Sequence, residues 1–185
     1  MPMQEPSPTI AVRRADLSDA RAIYDLIRAN PEELITRPLA DIARNIDRFT
    51  VVTRDGELAG CASYTILPEA GNFSSASVEL TSVAIRADLR SHGLGRLLVN
   101  AALERIRAFR PAQIFVLTCT PAFFQALGFH EIPKSSILHK IYTGCMNCMK
   151  HSNPFTCPEV AMAAPGPAEQ ASPPPPPTER PTPCP

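Results

Sequence analysis

The chain has no surplus of charge of either sign. Across its 185 residues, 18 Lys and Arg are balanced by 18 Asp and Glu. That balance excludes recruitment of nucleic acid or an acidic membrane surface by bulk electrostatics. Long apolar runs are also missing: nothing approaches the roughly 18–20 residues of a membrane span. The opening M-P-M-Q-E-P-S-P-T lacks both the basic start and the apolar stretch of a signal peptide, so the expectation is a soluble, cytoplasmic protein. From Ala163 onward there is no aromatic or branched aliphatic residue. Such a stretch buries too little to offset its ordering entropy, and Pro173–Pro177 favours polyproline II. The expected organisation is a disordered start (1–8), one folded domain (9–162) and a disordered proline-rich tail (163–185).

Six cysteines are present. Without an export signal they are expected as reduced thiols. Cys61 and Cys119 lie in apolar, strand-like segments and read as buried. Cys145, Cys148 and Cys157 form C-x2-C-x8-C with His151 among them. This spacing fits a Cys3His zinc site, a small reduced cluster or an oxidisable pair; the overall expectation is that no metal is required.

Apolar periodicity then orders the domain. Ile10 to Val12 alternates as a first strand. Ser18 or Asp19 caps a helix with Ala20, Ile23, Leu26 and Ile27 on one face, and Leu39, Ile42, Ile46 and Phe49 mark a second. Residues 50–67 read as a hairpin turned by Asp55-Gly56. A strand from Val78 to Ile85 enters R-S-H-G-L-G-R (90–96), after which Leu94, Leu97, Leu98, Ala101, Ala102 and Ile106 stripe a helix. Ile114–Thr118 is a strand, Pro121–Ala126 a short helix, and Gly128-Phe129 its exit. The class is mixed α/β: one curved central sheet flanked by helices.

A glycine-rich turn at a helix start suits an anion, because several backbone N–H groups converge where the helix dipole is positive. A P-loop is excluded, since no Lys follows. A dinucleotide fingerprint fails because Leu98 stands at its third glycine. Arg90-x-x-Gly93-x-Gly95 after a strand instead resembles the pyrophosphate loop of the Gcn5-related N-acetyltransferases. P-A-F-F-Q-A-L-G-F (121–129) resembles that superfamily's second signature. Stretches 34–51, 78–85, 115–118 and 123–129 further resemble the acetyltransferase domain of N-acetylglutamate synthase, and 144–162 the end of its short, single-domain form. The resemblance implies a GNAT fold with no amino-acid kinase domain, so arginine feedback is not assumed. It also implies acetyl-CoA as acetyl donor, and a small amino-acid acceptor, L-glutamate, at the entry to arginine biosynthesis. A homodimer stays open.

Several residue roles follow from the resemblance. Val83, Ala84, Ile85, Arg90, Ser91, His92, Gly93, Leu94, Gly95 and Arg96 would bind coenzyme A, with the Val83 and Ala84 N–H groups at the oxyanion. Glu79, the carboxylate in an otherwise apolar strand, would be the base that takes the acceptor's proton. Phe124 stands where the superfamily carries a Tyr acid, so Thr118 is the substitute hydroxyl. Arg37 and Lys140 would bind acceptor carboxylates, for which a guanidinium fork is well shaped. The other readings are a GNAT enzyme for another small amine or a protein N-terminus, and a non-catalytic acyl-CoA sensor.

Overall fold

The computed structural model describes residues 7–69, 72–148, 150–151 and 153–165. Much of the expected tail, and residues 1–6 of the expected disordered start, therefore lie outside the described residues. In chain order the elements are β1 (Ile10–Arg14), α1 (Ala20–Arg28), α2 (Leu39–Arg44), β2 (Thr50–Arg54), β3 (Glu57–Glu69) and β4 (Asn72–Ile85). Then come α3 (Leu94–Arg107), β5 (Gln113–Thr118), α4 (Pro121–Gln125), β6 (His130–Glu131), α5 (Leu138–Thr143) and β7 (Val160–Ala163).

Among the described residues seven strands form one sheet in the order β1-β2-β3-β4-β5-β7-β6. Neighbours are antiparallel except β4 and β5, which run parallel through the crossover of α3. This is the mixed α/β architecture that the resemblance implies. One face is covered by α3 and α4, whose Leu94, Leu98, Ala102, Ile106 and Phe124 pack on Val52, Tyr64, Val78, Leu80 and Val116. The other face carries two smaller clusters. Ile23 and Ile27 of α1 and Ile42 of α2 cover Val51, Cys61 and Ala84, while Ile137 covers Phe115 and Ala161. No helix among the described residues is long and apolar enough to cross a membrane.

Local chemistry moves several expected boundaries. The second helix stops at Arg44. Asn45 turns its amide back onto the Asp41 carbonyl at 2.9 Å, and Ile46–Arg48 continues only as a 3-10 turn. A polar side chain that satisfies the preceding turn competes with helix continuation. Asp19 stands at the N-cap position of α1, as expected, but makes no side-chain cap bond to it; Asp16 accepts from the Ser18 N–H and starts a 3-10 turn ahead of α1. Asp19 instead grips Arg13 through two hydrogen bonds, of 2.6 and 2.9 Å. β4 begins at Asn72 rather than Val78, and β6, α5 and β7 were not expected at all. The Ala164 N–H still bonds Ile114 O beyond β7, at 2.8 Å.

The Arg13 hydrogen bonds hold the Asp19 carboxyl below its ordinary value of 3.8. A depressed folded-state pKa stabilises above the unfolded value and is lost as pH falls through the folded one. Asp19→Asn should therefore cost about 1 kcal/mol at neutral pH, in keeping with a half-exposed pair. In denaturant titrations its deficit should shrink below pH 3.8; a deficit constant down to acid pH would contradict this account.

Candidate active site

β4 and β5 share three residue pairs, Ser77–Gln113, Val78–Ile114 and Glu79–Phe115, and then part. The cause lies in the pairing of β4 with β3. Cys61 faces Ala84 and Ser63 faces Thr81, so two steps on β3 span three on β4. The extra residue forms a bulge in which Ser82 takes φ +53°. A bulge bends its strand, increases local twist and reverses the alternation of side chains. The reversal is visible in the packing: Val78 and Leu80 face the α3 side before the bulge, and Val83 and Ile85 face it afterwards. Ala84 joins the cluster under α1. β5 meanwhile pairs with β7, ending at Thr118–Val160.

The fork between the parted strands is a cleft of about 440 Å³, walled by residues 80–85 on one side and 116–120 on the other. Arg90, Ser91, Gly93, Gly95 and Arg96 close its end. Gly93 caps α3 with φ +79°, and no side chain caps the helix. The N–H groups of its first turn are thus available to an anion. The two glycines serve different ends. A Cβ on Gly93 would meet nothing within 4 Å, so its need is conformational. A Cβ on Gly95 would sit 3.2 Å from the Phe123 ring, so its need is close packing of α3 on α4. Arg96 adds a tie to α4 by donating to Ala126 O at 3.0 Å. Arg90 points across the cleft mouth, donating to Asn30 Oδ1 and, at 3.3 Å, to Glu33 Oε1. His92 is exposed and outside the cleft wall, with Nδ1–H donating to Arg90 O at 2.7 Å. The Leu94 side chain is buried in the core, so only its backbone faces the loop.

A second cavity, of about 130 Å³, adjoins the first. Glu33, Leu34, Leu80, Thr81, Ser82 and Leu117 line both, so the two meet at the bulge. Arg37, Lys134 and Lys140, with Glu33, Glu79 and Glu159, give the smaller cavity its charges. Glu79 is the last β4 residue paired on both sides, to Thr65 and to Phe115. It is 5% exposed. Burial pushes its carboxyl up; the nearby Lys140 and Arg37 pull it down, and Glu159 pushes it up further. Lys140 Nζ lies 2.8 Å from Glu79 Oε2. That oxygen nevertheless has no aligned hydrogen-bond donor, so the contact is held by charge more than by a directed bond. Arg37 is half-buried and spends one nitrogen on Asp41 at 3.3 Å. Thr118 is buried, and its Oγ1 accepts from the Thr120 N–H at 2.9 Å.

The structure therefore brings Glu79, Arg37 and Lys140 to one pocket, and Val83, Ala84, Ile85, Thr118 and most of the 90–96 loop to the adjoining cleft. Sequence reasoning passed over Glu33, Lys134 and Glu159. None stands in a motif, and each enters only through loop packing. Cys119 departs from expectation: it is exposed, one residue past β5, in the turn that Thr118 holds. Cys145, Cys148, Cys157 and His151 all line the smaller cavity. Among the described residues, however, no three His, Cys, Asp or Glu side chains converge on a metal-sized site.

Residues 19–132 match the model of the acetyltransferase (GNAT) family. An uncharacterized N-acetyltransferase of Chlorobaculum tepidum is 31% identical over 159 residues, 85% of this chain and 97% of that relative. The amino-acid acetyltransferase of Vibrio atlanticus is 33% identical over 124 residues, 65% of this chain but only 27% of that longer relative. Among solved structures, Rv2747 from Mycobacterium tuberculosis, in complex with CoA and NLQ, superposes with TM-score 0.68 at 23% identity. The match covers 83% of this chain and 98% of that one. N-acetylglutamate synthase from Neisseria gonorrhoeae, complexed with coenzyme A and N-acetyl-glutamate, gives TM-score 0.68 at 22% identity. Here 84% of this chain and 35% of that one are covered.

The Gly93 geometry yields a test. Gly93→Ala should lose about 1–2 kcal/mol of stability from left-handed strain alone and weaken coenzyme A binding. Gly93→Asn, better tolerated there, should lose less of both. Calorimetric titration and urea melts read the two quantities; equal losses for Ala and Asn would refute the conformational explanation.

Proposed function

This chain belongs to the acetyltransferase (GNAT) family and is an acetyl-CoA-dependent N-acetyltransferase, and we propose that its acceptor is the α-amine of L-glutamate. The observation that carries this reading is the position of Glu79: a buried carboxylate at the vertex of the fork, facing a pocket with fixed cations that opens into the coenzyme A cleft. The similarity to amino-acid acetyltransferases supports the same acceptor class. The setting would be the entry step of arginine biosynthesis, in the cytoplasm.

In this mechanism the pyrophosphate rests on the N–H groups at the start of α3. The pantetheine arm runs through the fork, as a strand-like guest between β4 and β5. The thioester then lies beside the bulge, where the N–H groups of Val83 and Ala84 receive the developing oxyanion. Glu79 accepts the proton of the acceptor ammonium, directly or through water, and the freed amine attacks the thioester carbon. The C–N bond forms, the C–S bond breaks, and the sulfur leaves as thiolate or takes a proton. Phe124 has none to give; its ring is buried against Phe123 and Phe129. Thr118 is the hydroxyl on that side. Its oxygen accepts from Thr120 N–H at 2.9 Å and lies 3.1 Å from Thr120 Oγ1, where either hydroxyl can donate; with Thr120 as donor, the Thr118 proton is left for the cleft. Arg37 binds the acceptor carboxylate. Lys140, expected as a second carboxylate binder, is engaged with Glu79 and serves mainly to keep that carboxylate ionised.

Two measurements test the assignment. Glu79→Gln should retain coenzyme A affinity while turnover falls about 10²–10⁴-fold, the range of a lost general base. For the parent, kcat/KM for glutamate should rise with pH through a midpoint above the ordinary carboxylate value of 4.5. Lys140→Met removes the cation that favours the ionised form, so this midpoint should move up; a downward or absent shift would refute the pairing. Separately, across a panel of glutamate, aspartate and glutamine, Arg37→Ala should raise the KM for glutamate far more than that for acetyl-CoA. Equal effects on both would sink Arg37 as the carboxylate binder, and no glutamate turnover by the parent would sink the acceptor.

A further inference from the structure

The wall of the smaller cavity opposite Glu79 is built from the segment between α5 and β7, and it holds three thiols. Cys145 opens a 3-10 turn, Cys145–Asn147, which closes when the Cys148 N–H donates to Cys145 O at 3.1 Å. In such a turn residues three apart are eclipsed, and their Cα atoms lie within about 7 Å. A disulfide needs Cα atoms about 4.4–6.8 Å apart. Both thiols are free, partly accessible and line the same cavity. Cys157 lies close enough for the charge of Cys148 to bear on it.

This turn is joined to the catalytic side of the pocket. Gly144, immediately before Cys145, packs so closely on Lys140 that a Cβ there would lie 3.1 Å from Lys140 Nζ. Lys140 in turn sits 2.8 Å from Glu79. The same segment is tied across the pocket by Lys134, which donates to Pro154 O and Cys157 O at 2.9 and 2.6 Å. Lys150 ties it to Pro31 O and Glu32 O, just before the cavity-lining Glu33. The turn thus lies between solvent, where Met146 is exposed, and the pocket, and a change in its shape is passed to Lys140 through Gly144.

We infer that Cys145 and Cys148 form a modification site, a dithiol oxidised reversibly by a low-molecular-weight disulfide, and that the resulting bond closes the acceptor pocket while leaving the coenzyme A cleft open. One thiolate attacks a sulfur of the reagent, releasing one small thiol and forming a mixed disulfide. The second cysteine attacks the protein-bound sulfur, releasing the other small thiol. Two protein S–H bonds are lost, one S–S bond forms, and the reagent is reduced to two thiols. The consequence for acetyl transfer rests on the acceptor reading above; formation of the bond does not.

The test treats the intact protein with oxidised glutathione and maps the peptide containing both cysteines. The expected result is a mass lower by two hydrogens, restored by dithiothreitol. In that state glutamate turnover should fall on the order of 100-fold, the cost of an ångström-scale misplacement, while coenzyme A affinity is unchanged. In Cys145→Ser and in Cys148→Ser the internal bond cannot close, so the treated peptide should gain a single glutathionyl group instead of losing two hydrogens. Cys157 supplies a readout that needs no acceptor: its alkylation by iodoacetate should slow when the pocket closes. The proposal is overturned if the disulfide does not form, or if it forms and Cys157 is alkylated as fast as before. Absence of glutamate turnover in the reduced protein would instead count against the acceptor, with the mass and alkylation readouts still deciding this site.

Discussion

One inserted residue in β4 organises the site. The bulge at Ser82 turns the strand away from β5 just after Glu79, and everything placed for chemistry lies around the gap that results. An unbroken ladder would have continued pairing main chain to main chain and left no room for a ligand. The bulge also exchanges the faces of the strand, so that one short segment contributes Glu79 to the smaller cavity and Val83 to the cleft wall. Cleft and cavity therefore meet at a single backbone irregularity. Its strain is borne by packing on both faces, with Val78 and Leu80 almost fully buried under α3 and Ala84 buried under α1.

The electrostatics follow from that placement. Glu79 is out of water, and an isolated carboxylate there would remain protonated. Lys140 and Arg37 offset part of the desolvation, and Glu159 works against them. The net effect is a carboxyl raised above its ordinary value, because burial outweighs the two cations. The phosphate end of the cleft works by a different principle. It relies on uncapped N–H groups and a left-handed glycine, with Arg90 held at the rim by Asn30 and Glu33.

Much of this was legible in the residues. Of the expected stripe, Leu94, Leu98, Ala102 and Ile106 form a buried helix face while Leu97 is exposed, and Asp55-Gly56 reads as a tight turn with both residues at positive φ. The glycine loop was readable because backbone geometry restricts it to few residue types. What could not be read depends on tertiary packing. Asn45 ends α2 through a side-chain bond that periodicity does not register. The bulge at Ser82 leaves no mark in composition, since serine is unremarkable in a strand. Glu79 was visible as a carboxylate among apolar neighbours, but its pairing with Lys140 joins residues far apart in the chain. The region from Lys134 to Ala163 was the least readable, being short elements linked by loops whose lysines bind carbonyls rather than carboxylates.

The strand order carries a consequence for biosynthesis of the protein. β7, the last element among the described residues, lies between β5 and β6. As the polypeptide emerges from the ribosome, β5 has no neighbour on that side until Val160–Ala163 arrive. The half of the sheet from β1 to β4 can assemble early, since its partners are adjacent in sequence. The edge of the sheet beyond β5 therefore stays open until residues 160–163 have been synthesised, well after the glycine loop at the start of α3.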